Sequence, residues 1–199
     1  MKQALLVLLC LWVTSSQILR GSSEDESFVP YSSAIQRYRF VPWQVYNGCL
    51  VRRALSSSLK LCVQGNGNLS RAQTYARNAL SLWLDALRPL NPKVTRDIKL
   101  GCDHPDGYVN VYSGWGREYA SPGTINVFDQ SYFGSYLHEF GHAFACLGDT
   151  YVGSTAGYCV AGQPHSVMCD GLLRNDLSPD DVAGVRNQFK SITTKLNRY

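Results

Sequence analysis

The order of segments in this chain predicts an α/β (α+β) single domain built on a mixed, twisted sheet. Short runs of β-favouring residues at 59–63, 97–100, 108–112 and 123–128 are interleaved with longer stretches whose apolar residues recur every three or four positions, at 70–87, 130–147 and 178–196. Elements in that order place helices over the faces of a sheet. Of the 199 residues, 45% are hydrophobic and 12% aromatic, which suffices for one real core.

Residues 1–19 read as a secretory signal: Lys2 supplies the positive start, Ala4 to Val13 is apolar, and the small residues Thr14, Ser15 and Ser16 follow. That apolar run is too short to cross a bilayer, so no membrane attachment is expected after cleavage, and the mature chain is expected outside the cell or in a periplasm. Residues 20–39 are polar and Ser-rich, as in a linker or short propeptide, and the folded domain is expected to span 40–199.

Within that domain, Phe40 to Tyr46 and Cys49 to Leu55 read as strands joined by the tight-turn pair Asn47-Gly48, and Leu59 to Val63 as a third. Gly65-Asn66-Gly67-Asn68 breaks the chain, and Asn68-Leu69-Ser70 is also a glycosylation sequon. Ser70-Arg71-Ala72-Gln73 has the form of a capping box. The helix after it lines up Ala72, Ala76, Ala79, Leu80, Trp83, Leu84 and Leu87, and must stop by Pro89. Strands resume at Asp97 to Leu100, Tyr108 to Tyr112 and Gly123 to Phe128. Tyr132, Phe133, Tyr136, Leu137, Phe140, Phe144 and Leu147 predict a helix over about 130–147, with Gly148 as its left-handed cap. A loop runs to about 177. Ser178-Pro179-Asp180-Asp181 then starts a last helix, with Val182, Val185, Phe189, Ile192 and Leu196 as its packing stripe.

Six cysteines remain after the signal: Cys49, Cys62, Cys102, Cys146, Cys159 and Cys169. An even number in a secreted domain predicts disulfides. Cys49 with Cys62, across the expected hairpin, is the first pairing to consider. A bridge among Cys146, Cys159 and Cys169 would pin the nearby loop. The formal charge of +4 is mild and no basic stripe is present, so nucleic acid is not an indicated partner.

The chemistry concentrates in His138-Glu139-Phe140-Gly141-His142. On a helix, positions i and i+4 share a face, so both imidazoles can reach one metal ion. Zinc takes neutral imidazole nitrogen and, in catalytic sites, three protein ligands plus a water. Glu139 flanks the open position, where a carboxylate can move protons. The third ligand is open among Asp149, a later Asp and His165, because no Glu follows His142. Met168, the only methionine besides the initiator, lies in a Ser166-Val167-Met168 segment downstream.

The stretch His138 to Tyr151, HEFGHAFACLGDTY, resembles the HEFGHSFxxLxDEY motif of the IgA-peptidase-like metallopeptidases, a metzincin-related group. His138, Glu139, Phe140, Gly141, His142, Phe144, Leu147, Asp149 and Tyr151 match it. The commoner metzincin pattern puts Gly three and the ligand six residues after the second His, where this chain has Ala145 and Gly148. The resemblance implies Zn2+ held by His138, His142 and Asp149, with Glu139 as catalytic base and Met168 in a Met-turn beneath the metal. It also implies an extended peptide paired to a cleft-bordering strand, here 123–128 or Ser113 to Gly116, and a closing C-terminal helix. The expected activity is that of a secreted zinc endopeptidase acting as a monomer on protein or peptide. An inactive metal-binding domain on the same scaffold and a zinc hydrolase of non-protein amides remain the alternatives.

Overall fold

The computed structural model describes residues 49–149, 166–170 and 174–196. The expected signal at 1–19, the segment 20–39, the strand Phe40 to Tyr46 with Asn47-Gly48, and the residues Tyr151, Cys159 and His165 lie outside them. Among the described residues no helix is long and apolar enough to cross a membrane.

The domain is α+β, with a five-stranded mixed sheet as expected. In chain order the elements are β1 (Leu59–Gly65), α1 (Leu69–Leu87), β2 (Ile98–Leu100), β3 (Gly107–Tyr112), β4 (Tyr119–Ser121), β5 (Thr124–Phe128), α2 (Phe133–Ala143), α3 (Val167–Asp170) and α4 (Pro179–Leu196). The strand order is β2-β1-β3-β5-β4. The first four run parallel, and β4 pairs antiparallel with β5 at the edge.

Alternation along the strands sorts the faces. Val109, Val111, Ile125 and Val127 are buried, while Tyr108 and Tyr112, on the opposite face of β3, are exposed. A row of amides crosses the sheet in register: Gln64 Nε2 donates to Asn110 Oδ1 at 2.9 Å, and Asn110 Nδ2 to Asn126 Oδ1 at 3.0 Å. The whole predicted stripe of α1 is buried, and Trp83 Nε1 donates to the Leu137 carbonyl at 3.1 Å, fixing α1 against α2. In α4, Val185 and Phe189 are buried as expected.

Several local expectations are corrected. Cys49 to Leu55 is not a strand; Leu50–Arg53 is a 3-10 turn whose Val51 N–H bonds the Phe144 carbonyl at 3.0 Å. With no hairpin there, Cys49 does not meet Cys62. Cys49 bridges to Cys146, and Cys62 on β1 bridges to Cys102, which follows the neighbouring strand β2. Cys169 is disulfide-bonded too. The cap of α1 is Asn68, not Ser70: its Oδ1 accepts the Arg71 N–H at 3.1 Å. The short edge strand β4 was missed altogether. Its signal was Pro122-Gly123, a turn pair in which Pro presets the first residue and Gly supplies the left-handed second, here at φ 69°.

Candidate metal centre

Helix α2 ends sooner than expected. Its last residue is Ala143, and the left-handed residue beyond it is Cys146 at φ 58°, not Gly148. A residue with a Cβ pays about 1–2 kcal/mol for that conformation. The disulfide to Cys49 and the Leu147 N–H bond to the Gly141 carbonyl, at 2.9 Å, hold it there. The consequence is a tight reversal that returns Asp149 toward the helix it has just left.

The structure brings His138, His142 and Asp149 together, with one potential ligand atom of each lying within 4.8 Å of the others. The two Nε2 atoms are 3.2 Å apart. Asp149 Oδ1 stands 3.2 Å from His138 Nε2 and 3.1 Å from His142 Nε2.

The other ring nitrogens decide what those three atoms carry. His138 Nδ1 lies 2.7 Å from the Val167 carbonyl, and His142 Nδ1 lies 2.6 Å from the Leu147 carbonyl. A carbonyl can only accept, so each Nδ1 carries its proton, and each neutral ring presents a bare lone pair at Nε2. Two such lone pairs and a carboxylate oxygen then face one another at contact distance. That arrangement is repulsive unless a cation or an extra proton lies between them. It is also how metal-binding histidines are oriented, by a hydrogen bond from the nitrogen not used for the metal.

The protonation tendencies agree. Burial alone would lower the His138 pKa. The hydrogen bond to Asp149, the charges of Glu139 and Asp149 and the Val167 carbonyl outweigh it, holding the value at about 9. Burial alone would raise Asp149; the hydrogen bonds and charges of the two histidines hold it well below the usual carboxylate range. The group of three thus has strong affinity for positive charge, and its donor set of two imidazoles and a carboxylate suits zinc.

Glu139, next to His138 on α2, is only 5% exposed. Its Oε2 is buried with no hydrogen-bond partner among the described residues. Burial raises its pKa, and the neighbouring histidines pull the other way. Such an oxygen is available to a proton or to a polar ligand.

Met168 sits in the one-turn helix α3, fully buried. A Cβ built on Gly141 would overlap its sulfur and come within 3.2 Å of Trp83 Cζ2, so Met168 packs directly against α2 at Gly141, the residue before His142. Gly141→Ala should therefore destabilise the protein. The helix-propensity gain of about 1 kcal/mol is outweighed by overpacking, which costs about 1–3 kcal/mol or more in a filled core. A lower urea midpoint at unchanged slope would show it.

Strand β5 does not border the site as a free edge, because β3 and β4 occupy both its sides. Among the described residues the sheet ends at β2 on one side and at β4, Tyr119–Ser121, on the side of β5. Ser113 to Gly116 forms no strand. Asn126 Nδ2 donates to the Tyr119 carbonyl at 3.4 Å, tying that edge strand to the amide row. Arg71, from α1, donates to the carbonyls of Asp129 at 2.8 Å and Ser131 at 3.1 Å, and Ser131 Oγ donates to Glu118 Oε1 at 2.7 Å. These bonds set the entry of α2 against β4.

Compared with family models and with curated proteins, the chain shows no match.

Proposed function

We propose that the chain is a secreted zinc-dependent endopeptidase that cleaves protein or peptide bound in extended form. The observation that carries this reading is the convergence of His138 Nε2, His142 Nε2 and Asp149 Oδ1, each ring locked by its Nδ1–H, beside a buried Glu139 oxygen that has no hydrogen-bond partner among the described residues. His138, His142 and Asp149 would hold the metal. Zinc bound there supplies Lewis acidity, lowering the pKa of water toward neutrality and polarising a carbonyl.

The remaining work falls to the chain's own groups. Glu139 Oε2 takes a proton from the attacking water and passes it to the leaving amine nitrogen, as general base and then general acid. A metal-binding module without chemistry gains nothing from such a base. The outer edge of β4 offers its backbone groups to an extended substrate by strand addition, a mode that recognises main chain more than side chain. The bridges Cys49–Cys146 and Cys62–Cys102 suit an oxidising compartment.

Cleavage of casein and of a peptide library, with and without chelator, beside metal analysis of the mature protein, tests the reading. Chelator-sensitive cleavage with bound zinc is the expected result. Zinc-free protein, or cleavage indifferent to chelator, would overturn it. Proton competition gives a second check. Below its folded pKa of about 9, His138 carries an extra proton that zinc must displace. Zinc affinity should therefore fall as pH falls, by about tenfold per unit for one displaced proton, between pH 9 and 7. A pH-independent affinity over that range would contradict the assignment of His138 as ligand.

A further inference from the structure

We propose that Asp181, on α4, is a positioning residue for the His138 side of the metal centre; this rests on the metal-site reading above. Asp181 stands at the start of α4, where an acid opposite a Ser cap is ordinary. Ser178 Oγ accepts the Asp181 N–H at 3.2 Å, and the Asp181 carboxylate answers the Ser178 N–H at 2.9 Å. A plain capping carboxylate sits at the surface. This one is 0% exposed, and it reaches past its own helix.

Its Oδ1 accepts from Ser166 Oγ at 2.7 Å, and its Oδ2 accepts from the Val167 N–H at 3.0 Å. Ser178 Oγ donates to Oδ2 as well, at 2.7 Å. Ser166 Oγ in turn accepts the Met168 N–H at 3.0 Å. The carboxylate thus gathers the backbone of Ser166, Val167 and Met168 onto the head of α4.

Val167 is the hinge of the argument. Its N–H is held by Asp181, and its carbonyl takes the His138 Nδ1 proton at 2.7 Å. Fixing one side of that residue fixes the other. Met168, next along, has its sulfur under Gly141. Asp181 therefore sets the ring orientation of His138 through Val167 and the floor beneath α2 through Met168. His142 does not depend on it, because its Nδ1 partner is the Leu147 carbonyl on its own loop. Only an ionised carboxylate accepts from all these donors; an amide would turn an N–H2 toward one of them.

The test compares the intact mature protein with its Asp181→Asn and Ser166→Ala variants. Zinc affinity is measured by chelator competition, and the cobalt-loaded proteins are compared by visible absorption. Loss of hydrogen bonds that orient a metal ligand commonly weakens metal binding by about 10–100-fold. Asp181→Asn should weaken zinc by about that factor and shift the cobalt spectrum, with Ser166→Ala moving both in the same direction by less. A merely structural residue would lower thermal stability and leave the cobalt spectrum as it was. Should Asp181→Asn fail to fold, Ser166→Ala decides. Variants that bind zinc within about threefold of the unmodified protein, with an unaltered spectrum, overturn the proposal. Failure of the unmodified protein to bind zinc overturns the metal-site reading itself, and is recognised before any substitution is made.

Discussion

Glu139→Gln is expected to lower peptide hydrolysis by about 10²–10⁴-fold, or about 3–5 kcal/mol in barrier, while zinc content stays unchanged. Gln keeps the size and one oxygen of Glu but cannot take up a proton at neutral pH. Glu139 is absent from the group of three that faces the metal position, so the substitution leaves every ligand in place. Stability should move the opposite way to activity. Burial raises the Glu139 pKa, so its ionised form is disfavoured in the folded chain relative to the unfolded one. As pH rises above the usual Glu range, that group costs the native state stability, and a neutral amide removes the cost. After chelation, at neutral pH, the variant should melt no lower than the parent. Turnover and metal analysis at saturating zinc, beside thermal melts, distinguish the outcomes. Retained hydrolysis in a zinc-loaded variant would remove Glu139 from the chemistry.

Asp149→Ala is expected to weaken zinc by more than about 100-fold, because it deletes a ligand and not merely a bond that supports one. Asp149 Oδ1 is the only acidic oxygen among the described residues placed with both Nε2 atoms. Without it, two neutral imidazoles remain, and two nitrogens alone seldom retain zinc against a chelator. Activity at limiting zinc should disappear with the metal. Competition titration measures the effect directly. Zinc binding at parental strength would transfer the third position to another group, with His165 the first to substitute.

The three long helices and most strands were legible because periodicity reports burial; the one-turn helix Val167–Asp170, too short for a period, fell in a stretch expected to be loop. The stripe of α1 and the inward positions of β3 and β5 are fixed by packing that a single sequence displays. The pair His138 and His142 was legible for a similar reason, since four-residue spacing on a helix is geometry. What was not legible depended on partners distant in the chain. Asn68 outcompetes Ser70 as a cap through its own Oδ1 bond. Cys146 adopts the left-handed turn expected of Gly148 because Cys49 and Val51 anchor that region from nearly a hundred residues away. The reach of Asp181 across to Ser166 and Val167 has no signature in spacing. It looks like one more acid in a helix's first turn.

The bridge from Cys49 to Cys146 closes a loop of 97 residues and ends inside the seven-residue interval between His142 and Asp149. By chain-entropy reasoning a crosslink over that span stabilises a fold by about 4–5 kcal/mol. Here the gain is local as well as global, since the crosslink clamps the reversal that delivers the carboxylate. A nascent chain still carrying thiols would own both imidazoles on their helix yet lack a dependable third arm. On the zinc reading proposed above, thiol oxidation would then complete the ligand set, tying metal binding to formation of this bridge.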